Sequence, residues 1–174
     1  MYLLCHPLPD VDPGQAVTSP LVIGLGNRWC GDDAVGPLVI DRLRELKIAS
    51  VDLIESPADT LSLINAWAGR KQVLLVDACC DLSLDVGEVV IIESAAVDSA
   101  MLTRLNLPTS SHVLNLLQAI EMSRALGKVP ESLTVFAVVG RQFAAGDQLS
   151  DEVESAIGEI VASLPGVVSG LAQD

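Results

Sequence analysis

Two short runs built almost entirely of apolar residues, "PLVIGLGN" from Pro20 and "QVLLVDACC" from Gln72, set the tightest limit on the fold of this chain. A strand that is apolar on both faces has to be covered on both faces, which is the pattern of the central strands of a parallel sheet. Between them, Val35, Leu38, Val39, Leu43 and Leu46 recur at helical spacing with Asp41, Arg42, Arg44 and Glu45 opposite. That periodicity predicts a helix from about Asp33 to Lys47. "SVDLIES" then predicts a strand and "ADTLSLINAWAG" a helix that Gly69 ends. Alternating strands and helices predict an α/β fold, a mostly parallel sheet with helices on both faces.

One connection breaks the alternation. From Cys80 to Gly87 the link to the next strand, "EVVIIES", is shorter than the dozen or more residues of a parallel crossover, so this strand is expected to run antiparallel at an edge. The irregular stretch "AAVDSAMLTRLNLPTSS" follows, then a helix over "HVLNLLQAIEMSRALG" with Ser110 or Ser111 as its N-cap and Gly127 as its stop. "SLTVFAVVG" is the last predicted strand and "SDEVESAIGEIVASL" the last helix. Residues 1–19, with Pro7, Pro9 and Pro13, read as a loose tail, 20–164 as one domain, and 165–174 as a weakly specified C-terminal tail.

A chain of 174 residues, 50% hydrophobic, can bury one substantial core. Its net charge of -13 would repel a phosphate backbone, and 3% aromatic content leaves few platforms for bases, so no nucleic-acid partner is expected. The N-terminus lacks the basic and apolar regions of a secretory signal, and charged residues interrupt every long apolar run before the roughly 18 residues of a membrane helix. The expectation is a cytoplasmic protein without membrane contact, its four cysteines reduced thiols rather than a disulfide framework.

The chemistry concentrates at strand ends and helix starts, where open α/β sheets place ligands. Asp33 follows the first strand by a short loop, Asp77 follows "VLLV" directly, and His112 opens a helix. The segment from Ala95 to Ser111 is long enough, at about 3.3 Å per extended residue, to bring His112 back to the rim that carries both aspartates. Two carboxylates and one imidazole suit a divalent transition metal with open coordination positions. Each also has a plainer reading. Asp77 could accept amide bonds from the next turn, Asp32 and Asp33 could cap the first helix, and His112 could be solvated.

The loop "IGLGNRWCGDDAVG" raises a competing possibility. Gly24 and Gly26 match the first two positions of a dinucleotide fingerprint, and Glu55 ends the second strand near the place of a ribose-binding acid. Trp29 occupies the third glycine position, which argues against the close helix and strand packing of that motif. Cys30 is a lone loop thiol, Cys5 and His6 lie in the tail, and Arg141 could take a substrate carboxylate or form an ion pair.

Taken together, "IGLGNRWCGDDAVG", "LLVDACC", "SSHVLNL" and "VFAVVGRQFAAGDQLSDEV" resemble, in order and spacing, the NiFe-hydrogenase maturation endopeptidase family from about Pro20 to Leu164. The resemblance implies a three-layer sandwich: a five-stranded, mostly parallel twisted sheet with one antiparallel edge strand and helices on both faces. It implies an endopeptidase that removes the C-terminal extension of a hydrogenase large-subunit precursor after nickel insertion. It assigns Asp33, Asp77 and His112 to the nickel-sensing site. With only three protein ligands the nickel is expected to come with the substrate, and Asp33 or Asp77, ionised near neutral pH, could alternatively act as general base. A monomer without organic cofactor is expected. Asp33 stands where some members have Glu, and the Pro-containing tail and Cys30 fall outside the pattern. The alternatives are a nucleotide- or flavin-binding module and a non-catalytic maturation chaperone.

Overall fold

In the computed structural model, which describes residues 19–48, 51–56, 59–93 and 111–170, all five predicted strands join one sheet. They are β1 (Leu21–Leu25), β2 (Asp52–Ser56), β3 (Gln72–Cys79), β4 (Val89–Glu93) and β5 (Ser132–Val139), in the order β2-β1-β3-β5-β4. Neighbours run parallel except for β4, which lies antiparallel to β5 at the edge with Ile91 opposite Phe136. The short link after Cys80 leaves no other direction open to it. The central strands β3 and β5 are buried from Val73 to Cys79 and from Leu133 to Val139, as strands covered on both faces must be.

Among the described residues four helices supply the cover: α1 (Val35–Glu45), α2 (Thr60–Trp67), α3 (Ser111–Ala125) and α4 (Asp151–Gly170). One cluster packs Val39, Ile40 and Leu43 of α1 and Ile157 and Leu164 of α4 onto Val22, Leu74 and Phe136. The other packs Leu63 and Trp67 of α2 and Ile120 of α3 onto Leu21, Ile23, Leu75 and Val135. Alternate residues of the same strands thus feed opposite layers, and each fully buried Leu or Ile contributes about 1.5–3 kcal/mol of transfer free energy. The Trp67 indole N–H, buried in the second layer, is satisfied by the Ser123 hydroxyl at 2.8 Å, which joins α2 to α3.

Two boundaries differ from the sequence pattern. Residues Gly31–Ala34 form a single 3-10 turn before α1 begins at Val35, because Gly31 takes a φ of +57° and the Asp32 side chain turns away toward a distant loop. At the other end, α4 continues through Pro165 to Gly170. The proline removes one amide donor, but Val167 still packs against the cluster below α4, and tertiary contact outweighs the local signal to stop. Among the described residues no helix is long and apolar enough to cross a membrane. The stretch 94–110 and the tail containing Cys5 and His6 lie outside the described residues.

Candidate active site

The glycine loop is built for backbone contact. A Cβ at Gly24 would stand 2.3 Å from the Gly36 carbonyl oxygen, and one at Gly36 would stand 2.2 Å from the Leu25 oxygen and 2.7 Å from that of Val76. The two glycines therefore let α1 start directly against the ends of β1 and β3. Gly26 has a φ of +122°, and a Cβ there would lie 1.9 Å from the Asp33 carbonyl oxygen. The space that a pyrophosphate would need beside this glycine is filled by the chain itself. Glu55, the candidate ribose acid, is engaged by Arg28 at 2.8 Å and Arg44 at 2.8 Å, while Arg28 also pairs with Asp41 at 2.6 Å. The dinucleotide reading therefore loses both its phosphate cradle and its ribose acid.

What the loop does position is a carboxylate. The Asn27 amide donates to Asp33 Oδ2 at 2.8 Å, and this fixes Asp33 above the end of β1. On the adjacent strand Val76 pairs with Gly24, so Asp77, the next residue, is level with the end of β1, two residues before β3 itself ends at Cys79. It is 4% exposed and its Oδ1 accepts the Ala78 N–H at 3.0 Å, the short-range bond that a strand-end Asp commonly makes. Position 112 is the second residue of α3. The Thr60 hydroxyl, at the start of α2, donates to the Asn115 carbonyl at 3.3 Å. Because α2 follows the C-terminal end of β2, the first turns of α3 lie along the same rim as the two aspartates. The His112 side chain itself lies outside the described residues. Among the described residues no three His, Cys, Asp or Glu side chains form a metal cluster.

Asp32 has a part that the sequence did not reveal. It is fully buried and caps no helix. Its Oδ2 accepts the amides of Arg141 at 2.7 Å and Gln142 at 2.9 Å and the Ser150 hydroxyl at 2.9 Å, while its Oδ1 accepts the Ser150 amide at 2.7 Å. Burial pushes its pKa up, but these donors outweigh the burial and hold the carboxyl below the usual range. The partners lie 109 to 118 residues away, so no local pattern could have found them.

The donors belong to the loop between β5 and α4. That loop encloses an open polar cleft of about 520 Å³ lined by Arg141, Gln142, Asp147, Ser150, Asp151 and Glu152, and neither Asp33 nor Asp77 borders it. Arg141 contributes its amide to Asp32, and its exposed guanidinium makes no ion pair among the described residues. Cys30, Cys79 and Cys80 are free thiols. Burial, followed by the negative charges of Asp77 and Asp81, pushes the Cys79 thiol up to about 12, so it is no nucleophile at neutral pH.

Comparison with known proteins bears on the family and the fold. Residues 37–165 match the hydrogenase maturation protease family, a span that contains Asp77 and His112 and begins just after Asp33. The hydrogenase 2 maturation protease of Escherichia coli (strain K12) is 24% identical over 139 residues, 79% of this chain and 82% of that protein. Among solved structures, the hydrogenase maturating endopeptidase HybD from E. coli superposes with a TM-score of 0.74 at 20% identity, covering 88% of this chain and 93% of its own. The NiFe hydrogenase maturation protease HybD from Thermococcus kodakarensis superposes with a TM-score of 0.70 at 22% identity, covering 87% of this chain and 99% of its own.

Proposed function

The chain belongs to the hydrogenase maturation protease family, and on that premise we propose that it cuts a C-terminal extension from a hydrogenase large-subunit precursor once nickel has been inserted. The observation that carries the reading is the acid pair: Asp33, in the 3-10 turn that follows β1, and Asp77, in the C-terminal part of the neighbouring parallel strand β3, each carboxylate accepting a backbone amide. The donor set fits the task. Two hard oxygen donors, with His112 on the same rim as a third, would bind a borderline divalent ion weakly by themselves and more firmly when substrate ligands complete its coordination.

Nickel is accordingly part of the substrate, and it would supply charge that polarises nearby groups. The chain's own residues do the rest. Asn27 holds the Asp33 carboxylate at a fixed height above β1, and the burial of Asp77 keeps its position set by the sheet. A precursor bound through its metal would bring its C-terminal segment to this rim, where either carboxylate can take a proton from attacking water. A precursor without metal lacks the bridging charge and would not be retained.

The test is the intact mass of a nickel-loaded precursor before and after incubation with the protein. Loss of one C-terminal fragment from the loaded precursor alone is expected, with Asp33→Asn and Asp77→Asn slowing the loss by about 100-fold or more while leaving the melting temperature unchanged. An unchanged mass with loading verified, or cutting by both variants at the parental rate, would overturn the reading.

A further inference from the structure

Of the large apolar side chains that face solvent among the described residues, the two most exposed lie on one rim. Trp29 is 75% exposed and Leu82 is 96% exposed. Trp29 sits in the loop after β1, between that strand and Asp33, and Leu82 in the loop after β3, five residues past Asp77. The strands are parallel neighbours, so both side chains stand in loops that leave the rim carrying the acid pair. Tryptophan is on average a deeply buried residue, and an indole left in water on an otherwise well-packed domain contributes nothing to the core.

Neither position is a loose end. The Trp29 N–H donates to Asn27 Oδ1 at 3.0 Å, and its carbonyl accepts the Gly146 amide at 2.8 Å. Asn27 therefore holds the backbone of Trp29 with its side chain and the carboxylate of Asp33 with its amide. One residue fixes the acid and the indole in the same frame. In the other loop, Asp81 Oδ1 accepts the Ser83 amide at 2.8 Å and the Ser83 hydroxyl at 2.6 Å, while Leu84 packs inward against Cys79, Ala137 and Val139. That turn leaves Leu82 outside.

We infer that Trp29 and Leu82 are the apolar anchors on which the folded precursor docks, with Trp29 the larger contributor. This inference rests on the proposed substrate, because a folded polypeptide that brings one of its bonds to Asp33 and Asp77 lies against the loops of the same rim. Preformed, backbone-fixed aromatic groups beside a polar centre are the usual energetic core of protein interfaces, since they bury much area at little cost in conformational freedom. The partner is accordingly a protein surface with an apolar recess next to its metal site, not a free peptide, which could reach the acids without meeting both side chains.

The experiment uses the full chain carrying 5-fluorotryptophan, whose two fluorine resonances belong to Trp29 and Trp67 and are assigned with Trp29→Phe. Titration with unlabelled nickel-loaded precursor is expected to shift the Trp29 resonance and leave Trp67, buried under α2, in place. In processing assays Trp29→Ala should raise KM by about tenfold or more and Leu82→Ser by less, with kcat within about twofold. Leu126→Ala, which truncates an exposed leucine just beyond the C-terminus of α3 at the far rim, should change neither. A Trp29 resonance that stays put while the precursor is cut, or an unchanged KM in Trp29→Ala, would overturn the inference. A shifted Trp29 with no cutting would support the docking and overturn the peptidase reading alone.

Discussion

Asp32 and Asp33 are adjacent in one short turn, yet they belong to opposite kinds of environment. Asp32 faces inward, fully buried, with four donor contacts from Arg141, Gln142 and Ser150. Asp33, half-buried in the same turn, is held by the Asn27 amide. The inward carboxylate ties the glycine loop to the loop before α4, and the outward one is displayed by the frame that the first maintains. A pair of like residues can thus divide into a buried clamp and an outward carboxylate, the one proposed for catalysis, with no difference in side chain, because the environment separates them.

The contrast can be broken most sharply by mutation. Asp32→Ala leaves the amides of Arg141, Gln142 and Ser150 without their acceptor and should cost about 3 kcal/mol of stability, read as a lower denaturant midpoint. Asp33→Asn keeps an acceptor for Asn27 and should leave that midpoint unchanged while processing fails. Equal midpoints for the two variants would show that the inward carboxylate is dispensable.

Acid offers a second lever on the same side chain. The folded pKa of Asp32 is depressed below its ordinary value of 3.8, so its stabilisation is present above that value. It is lost as pH falls from there through the folded pKa. Asp41 and Glu55, held low chiefly by hydrogen bonds from Arg28, follow the same sign. Unfolding followed by circular dichroism should therefore set in below about pH 4, and Asp32→Asn should flatten that dependence. A variant with the parental acid profile would remove Asp32 from the account.

Smaller effects separate the outer face of the loop from its inner one. Arg28 ties the loop to Asp41 on α1 and Glu55 on β2, and all three groups are partly exposed. Arg28→Ala should cost about 1 kcal/mol, a loss that shrinks in high salt. A cost as large as that of Asp32→Ala would mean that the outer network, not the inner carboxylate, holds the loop. The least change is expected at the thiols. With its pKa pushed up to about 12, Cys79 should resist alkylation at neutral pH in the folded protein, as peptide mass mapping would show. Rapid labelling of Cys79 would mean that the rim above β3 opens.

Much of this was legible in the chain. The apolar runs of β1 and β3 marked two of the three interior strands, and the short link from Cys80 to Gly87 fixed the direction of β4. The spacing of Val39, Leu43 and their neighbours placed α1, because burial periodicity is a local property. The placement of Asp33 in the turn between β1 and α1 and of Asp77 in the apolar run of β3 followed from the same pattern, whereas their roles rest on the family and on the proposed chemistry. The 3-10 turn and the run of α4 through Pro165 were not legible, since in both a distant contact outweighs local preference.

The sequence by itself determined the order and direction of the elements, because hydrophobic period and loop length act over a few residues at a time. Only the tertiary structure decided that Gly24 and Gly36 serve helix-on-strand contact rather than a phosphate, that Asp32 is a buried clamp, and that Trp29 and Leu82 share a rim with the acids. Those facts depend on which groups meet across the fold, for Asp32 over more than a hundred residues of chain. That meeting is set by packing of the whole sheet, which no short stretch encodes.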